Sequence, residues 1–386
     1  MNATALKKFK EPILVTRPYL PDLEEFKEGL EEIWANQWLT NNGPMLKRFQ
    51  AELAEYLGIP EANMALFSNG TLALELGYYA MGLAGGDVIT TPFTFVATSH
   101  ALKRIGANPI FADVDPETLC LSPEAAERLI TPRTKAIVPV HVYGNVCDVE
   151  GFERLREQYG VKIIYDAAHA FGVFNHGIHG RHGNDFDGKG RSIGCCGDMS
   201  MFSFHPTKLF HSCEGGLLVF KAAAIQEKLF ELRNFAIHSE TECVDVGSNA
   251  KMNELQALMG LECLKKIDEL IDYRKRVHAA YAEVLDGCPE VKLLPHSQNK
   301  AYVPVLFKDF ATRERVYAEL KAQCNVFTRR YFYPLLTDFA PYVYAKGACP
   351  IAADCAARVL TLPTYYGLPL EDVKAIAEDV KEMVAG

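Results

Sequence analysis

Residues 136–169 read AIVPVHVYGNVCDVEGFERLREQYGVKIIYDAAH. The run 136–140 is short, apolar and β-branched, 149–159 has the apolar spacing of an amphipathic helix, and 161–165 is a second apolar run that closes on Asp166. The same alternation extends outward in both directions, from about residue 60 to 235. Further strands are expected at 87–90, 109–112, 199–203 and 216–220. Helices are expected near 71–84, 94–104, 122–130 and 222–234, with Thr71 and Ser122 as cap-like openings. Nearly continuous apolar strands separated by helices predict an α/β fold, a mostly parallel sheet covered on both faces. Ligands of such sheets gather beyond the carboxyl ends of the strands, so chemistry is sought along that edge.

Outside that block the pattern changes. Residues 24–36 and 45–57 have helical spacing and are split by the turn-rich Leu39-Thr40-Asn41-Asn42-Gly43-Pro44. Residues 253–285 read as one long helical stretch, and 300–386 mix a strand at 302–307 with helices at 312–323 and 370–385. The expected division is a large domain over 1–240, including the N-terminal helical segment, and a smaller C-terminal α/β domain over 241–386. The segment 175–191, NHGIHGRHGNDFDGKGR, is too rich in glycine and polar residues to form an element.

Composition narrows the function classes. The chain has 386 residues, of which 49% are hydrophobic and 23% charged, so an unfolded, charge-dominated chain is excluded. Forty lysines and arginines face 49 acids, a net charge of −9 without any basic block, which argues against nucleic acid as a partner. No apolar run reaches the roughly 18 residues of a membrane span. The N-terminus lacks the apolar core of a secretory signal, and a cytoplasmic protein is expected. The cysteines number 11, are scattered and contain no C-x-x-C; they read as mostly small buried hydrophobes, with no metal site expected.

Two local patterns compete for the chemistry. Gly190-Arg191-Ser192-Ile193-Gly194 matches the G-x-S-x-G elbow of serine hydrolases. That elbow needs an apolar strand before the serine and a helix after it; here a polar loop precedes and a Cys-Cys-Gly turn follows. His176, His179 and His182 recur at every third residue, yet a glycine-rich loop fixes no coordination geometry. Neither G-x-G-x-x-G nor a P-loop occurs, so nicotinamide and nucleotide-triphosphate chemistry lack their usual phosphate cradles.

Four pieces fall where strands end. Ser68-Asn69-Gly70-Thr71 precedes a helix, where free N–H groups and the helix dipole suit a phosphate; plain N-capping would use the same residues. Asp166 closes an apolar strand and points into the crevice, unless it only caps the following turn. Lys208, in Ser203-Phe204-His205-Pro206-Thr207-Lys208, lies just past another apolar strand, where a lone lysine is ordinarily a solvated charge. Glu214-Gly215-Gly216 is a tight turn that admits close backbone approach. Together they suit pyridoxal phosphate (PLP). That cofactor takes a lysine for its Schiff base, a carboxylate on its pyridine nitrogen, a dipolar cradle for its phosphate and a flat side chain over its ring.

The order of these pieces, with Thr94-Phe95-Val96-Ala97-Thr98 and Asp166-Ala167-Ala168-His169-Ala170 among them, resembles the DegT/StrS nucleotide-sugar aminotransferases, which are fold-type-I PLP enzymes. The similarity runs from Trp38 to Pro334. It implies Lys208 as the Schiff-base lysine, Asp166 on the pyridine nitrogen, His169 beside the phenolic oxygen and Phe95 stacked on the ring. It further implies Gly70, Thr71 and Ser203 at the phosphate. Asn249, in Gly247-Ser248-Asn249-Ala250-Lys251-Met252, matches an asparagine that reaches the phosphate of the neighbouring subunit, which implies a homodimer with shared sites. The chain departs from the common pattern at His211-Ser212-Cys213, where many members read T-T-G, and in the longer segment 175–191.

Leu209-Phe210-His211 and Thr328-Arg329-Arg330-Tyr331-Phe332-Tyr333-Pro334 are similar to VioA-like dTDP-4-amino-4,6-dideoxyglucose transaminases. That implies L-glutamate as amino donor and dTDP-4-keto-6-deoxy-glucose as acceptor. Arg329, Arg330 and Tyr331 are the candidate contacts to the sugar nucleotide, since a guanidinium pairs with phosphate oxygens and an aromatic face stacks on a base or sugar. A salt-bridged strand edge is the alternative for that tract. Three other readings compete: a 3-keto-sugar aminotransferase of the same family, a PLP dehydratase and a non-catalytic PLP-fold sensor. Dehydratase members carry histidine in place of the lysine, so Lys208 argues against the second. The intact lysine, acid and ring-stacking set argues against the third.

Overall fold

The computed structural model describes residues 6–175, 191–294 and 297–385. Helices α1 (Leu23–Asn36) and α2 (Pro44–Leu57) precede a seven-stranded sheet. Its strands are β1 (Met64–Phe67), β2 (Asp87–Thr90), β3 (Asn108–Phe111), β4 (Thr134–Val138), β5 (Lys162–Asp166), β6 (Met199–Ser203) and β7 (Gly216–Phe220). The spatial order is β1-β7-β6-β5-β4-β2-β3. Neighbours from β6 to β3 pair in parallel, whereas β7 is antiparallel to both β1 and β6. Helices α3 (Gly70–Ala80), α4 (Val96–Arg104), α5 (Pro123–Glu127) and α6 (Val149–Tyr159) make the crossovers, and α7 (Ile225–Leu232) follows β7.

The strands read as continuous apolar runs because both faces are covered. Met64, Leu66, Ile137 and Ile163 join one apolar cluster with α2 and α6. Ala65, Phe67, Ala136 and Ile164 join another with α3 and α7. Alternate residues thus bury on opposite faces, as a pleated strand requires.

Several local expectations shift. Strand β1 was not expected: four residues with no alternation give little signal, and its partner β7 lies about 150 positions away in the chain. Helix α3 is capped by Asn69, whose side chain accepts the Leu72 N–H at 2.9 Å, and Thr71 is an exposed first-turn residue instead. Ser122 does cap α5, accepting the Ala125 N–H at 3.1 Å. The stretch 253–285 breaks at Lys265-Lys266 into α8 (Glu254–Leu264) and α9 (Ile267–Leu285). The buried Glu254 at the start of α8 accepts the N–H groups of Met45 and Leu46, so it caps α2 from across the molecule. Six of the cysteines are buried, as expected for most of the set, while Cys195, Cys213 and Cys243 are exposed.

The C-terminal part pairs β8 (Val291–Leu293), β9 (Val303–Phe307) and β10 (Val359–Leu362) antiparallel in that order. They pack with α9, α10 (Phe310–Glu319) and α12 (Leu370–Ala385), while α11 (Pro350–Arg358) precedes β10. Helix α10 runs on into a wider turn over Leu320–Cys324. Core membership does not change at residue 240. Leu258, Leu261 and Ile267 belong to the large core, Val277 and Tyr281 further along α9 to the C-terminal one, and Phe9 and Ile13 join the latter through a two-residue strand paired with Val326–Phe327. We infer a domain division that falls within α9 and assigns the first residues to the smaller unit.

Candidate functional site

The topology brings the four sequence pieces to one edge. Asp166 is the last residue of β5 and Ser203 the last of β6, the turn at Ser68-Asn69 leads out of β1, and β7, running the other way, begins there with Gly216. Gly216 faces Phe67 on one side and Ser203 on the other.

Asp166 is held rigidly. Its N–H donates to the Pro139 carbonyl at 2.9 Å and its carbonyl accepts from His141 N–H at 3.0 Å. The carboxylate is only 4% exposed. Oδ2 accepts the Thr98 hydroxyl at 2.7 Å and Oδ1 the Ala168 N–H at 3.1 Å. Burial pushes this carboxyl above its ordinary range, while the Thr98 and Ala168 hydrogen bonds and the Lys208 charge oppose that shift. One donor on each oxygen leaves lone pairs for a further donor.

Lys208 sits on an excursion from the sheet whose ends are tied. Phe204 N–H donates to the Gly215 carbonyl at 2.9 Å and Ser212 N–H to the Phe204 carbonyl at 3.1 Å. Phe204, Leu209 and Phe210 form its buried floor, with Phe171 stacked on Phe210 at 4.3 Å. Burial holds the Lys208 ammonium below its ordinary range, and Tyr331 and Asp166 pull it back. An amine so placed loses its proton more readily than a solvated lysine.

His169 follows β5 and is 8% exposed. Its Nδ1 accepts the Tyr143 N–H at 3.1 Å, which leaves the ring hydrogen on Nε2. Burial and then the Lys208 charge keep this imidazole well below its usual range, so it is a neutral donor. Gly70 and Thr71 open α3, where the first N–H groups have no partner within the helix. A Cβ on Gly70 would come within 3.4 Å of Ser203 Oγ, and one on Gly216 within 2.6 Å of the Asn69 carbonyl oxygen. Both glycines therefore let the α3 turn and the β6–β7 pair close into one cradle. Phe95 caps α4 and is 57% exposed, an aromatic face left bare beside buried polar groups.

Three expected contacts stand apart. Arg330 donates to both Glu314 oxygens at 2.9 Å and lies over the Tyr317 ring at 4.2 Å, so it belongs to the salt-bridged alternative; α10 offers a fixed carboxylate that the sequence pattern did not reveal. Arg329 is exposed and donates to the Tyr331 hydroxyl at 2.7 Å, and Tyr331 lies close enough to Lys208 to affect its charge. Asn249 is exposed, its side-chain oxygen held by Lys251 at 2.8 Å, while the neighbouring Ala250 carbonyl accepts the Ser68 N–H at 2.8 Å.

The structure adds residues the motifs did not flag as functional. Thr98 holds Asp166, and its signal was its place in the quoted Thr94-to-Thr98 motif. Tyr143 orients His169. Asn299, from the C-terminal half, donates to the carbonyls of His169 and Phe171 at 2.9 and 2.8 Å and had no sequence signal at all. Ser192 merely opens a turn, accepting the Gly194 N–H at 3.2 Å from a buried position, so the hydrolase reading loses its nucleophile. Gly190, His176, His179 and His182 lie outside the described residues. Among the described residues, no three His, Cys, Asp or Glu side chains are grouped to hold a metal ion.

A desolvated amine, a buried anion, a neutral imidazole donor, a helix N-terminus and a bare aromatic face thus line one sheet edge. The profile of the DegT/DnrJ/EryC1/StrS aminotransferase family matches residues 22–381. A dTDP-4-amino-4,6-dideoxy-D-glucose transaminase of Shigella dysenteriae is 40% identical over 382 residues, covering 97% of this chain and 100% of that protein. Among solved structures, DesI in the presence of its TDP-sugar product is similar with a TM-score of 0.87 at 36% identity, covering 97% of this chain and 93% of that one. NtdA from Bacillus subtilis with bound cofactor PMP has a TM-score of 0.81 at 27% identity, covering 94% and 82% respectively.

Proposed function

Because the chain belongs to the DegT/DnrJ/EryC1/StrS aminotransferase family, we propose that it moves the amino group of L-glutamate to C4 of dTDP-4-keto-6-deoxy-glucose with PLP as cofactor. The observation that carries the reaction type is the placement of Lys208 and Asp166, amine and anion, on one edge beside a helix N-terminus.

The residues present fit the cofactor. Asp166 has lone pairs to spare, Gly70 and Gly216 let the α3 N-terminus close against Ser203, and Phe95 offers an uncovered ring face. When bound, PLP supplies an electron sink for breaking a C–H bond next to nitrogen. Asp166 would keep a proton on the ring nitrogen, and His169 Nε2–H would donate to the phenolic oxygen. The N–H groups of Gly70 and Thr71, with the Ser203 hydroxyl, would hold the phosphate. Lys208 Nζ would hold the cofactor and, as a free amine, would take the proton from the reacting carbon and return it to the neighbouring one. Burial favours this role because it makes the neutral amine accessible.

For the acceptor, the support is the 40% identity with the Shigella dysenteriae enzyme over nearly the full length of both chains. Arg329, exposed beside Tyr331, is the guanidinium left for the pyrophosphate. The test offers dTDP-4-keto-6-deoxy-glucose, its 3-keto isomer and the UDP- and GDP-linked sugars, each with glutamate, and follows 2-oxoglutarate. Turnover of the 4-keto dTDP sugar is expected to exceed each alternative by roughly 10²-fold in kcat/KM. Faster turnover of any other sugar rejects the substrate while leaving the transaminase intact.

The proposal includes a homodimer in which Asn249 completes the partner's phosphate site. Exposed Trp34, Trp38, Leu39, Phe235, Val244 and Val246 give it apolar surface to cover. Lys208→Ala and Asn249→Ala proteins, each inactive alone, should regain activity when mixed and allowed to exchange subunits. Half the dimers are then hybrids with one intact site, so recovery to about a quarter of wild-type activity is expected. No recovery after confirmed exchange assigns Asn249 to its own chain. Among the described residues no helix is long and apolar enough to cross a membrane.

A further inference from the structure

The turn that opens α4 carries two threonines four positions apart, Thr94 and Thr98, with Phe95 between them. Thr94 is 4% exposed and Thr98 fully buried. Thr98 Oγ1 lies 2.7 Å from Asp166 Oδ2, 3.0 Å from Thr94 Oγ1 and 3.3 Å from the Phe95 carbonyl oxygen. A hydroxyl has one proton to donate, and the shortest, charged acceptor takes it. With Asp166 ionised, Thr98 donates to the carboxylate and accepts from Thr94, a chain in which each bond polarises the next. A protonated Asp166 would give Thr98 no anion to serve and turn its hydroxyl toward the longer Phe95 contact. Of the groups opposing the effect of burial on Asp166, Thr98 acts most strongly, ahead of Ala168 and Lys208.

We propose that Thr98, backed by Thr94, is a positioning residue that keeps Asp166 an oriented anion and thereby keeps the proton on the ring nitrogen of the cofactor. This rests on the PLP reading above. The same turn would then serve two ends, Phe95 offering its face to the ring and Thr98 holding the acid that meets the ring nitrogen.

The test uses wild-type, Thr98→Val, Thr98→Ser and Thr94→Val holoenzymes loaded with PLP labelled with ¹⁵N at the ring. Thr98→Val keeps the shape of the side chain and removes the hydroxyl. It should bind cofactor at Lys208 in full stoichiometry, yet move the ¹⁵N resonance from the pyridinium toward the neutral pyridine position, because the unsupported carboxylate draws the proton to itself. Its kcat should fall about 10- to 100-fold, the worth of one charge-assisted hydrogen bond. Thr98→Ser should restore both readouts, and Thr94→Val should shift them the same way by less. A Thr98→Val enzyme with the wild-type resonance and kcat overturns the inference, as does a Thr98→Ser enzyme as impaired as Thr98→Val, which would assign the effect to packing. Wild-type protein that holds no PLP at Lys208 overturns the cofactor reading and this inference with it.

Discussion

Replacing Lys208 with alanine should lower transamination by at least about 10⁴-fold, because on the proposed reading one side chain supplies both the covalent hold on the cofactor and the proton shuttle between carbons. The loss should be catalytic rather than structural. The excursion that carries Lys208 is tied by Phe204, Gly215 and Ser212 through backbone hydrogen bonds and anchored by Phe210 stacked on Phe171, none of which involves the amine. The variant should therefore fold and still take up PLP non-covalently at Asp166, Ser203 and the α3 N-terminus. Borohydride reduction followed by peptide mapping should place a pyridoxyl group on Lys208 in the wild type and on no residue of the variant. A label on another lysine, or a variant within tenfold of wild-type turnover, rejects the assignment.

Asp166→Asn should cost roughly 10²-fold or more in kcat, in line with the removal of other preorganised electrostatic groups. Asparagine matches aspartate in shape and keeps a carbonyl oxygen for the Ala168 N–H, and its amide can donate to Thr98 in place of accepting from it. The site is thus expected to keep its form while losing the buried anion beside Lys208. Without that charge the ring nitrogen would give up its proton, and the electron sink would weaken for every substrate alike. Both half-reactions should slow together, with PLP binding reduced far less. Near-normal turnover by a folded, cofactor-loaded Asp166→Asn enzyme would show that the carboxylate does not govern the step.

The two predictions rest on residues that were visible before the fold was. An acid closing an apolar strand, a lysine just past another and a small polar turn before a helix are local patterns. Their signal needs only the burial of the strands to be read. Thr98 was equally visible as a residue but not as a partner of Asp166, since 68 positions separate them and only the crossover through α4 closes the gap. Asn299 and His169 are 130 positions apart, and nothing in either neighbourhood marks the other. For Arg330 the charge was legible but not its fate: Glu314 on α10 stands close enough to claim it, and helical periodicity carries no information about what faces a side chain across a gap.

What the chain determined by itself is the class of sheet and the identity of the groups at its edge. Apolar runs of strand length alternating with amphipathic helices can bury their faces only as a covered, mostly parallel sheet, and the residues that end such strands must emerge along one rim. Tertiary structure decided the order of the strands, the reversal of β7 that sets Gly216 against Ser203 and the Asn69 turn, and the exchange of segments between the two cores. It also decided which hydroxyl serves Asp166 and which nitrogen of His169 carries the hydrogen. Periodicity reports how much of a side chain is buried, whereas a hydrogen bond depends on which atom the rest of the chain brings to within about 3 Å.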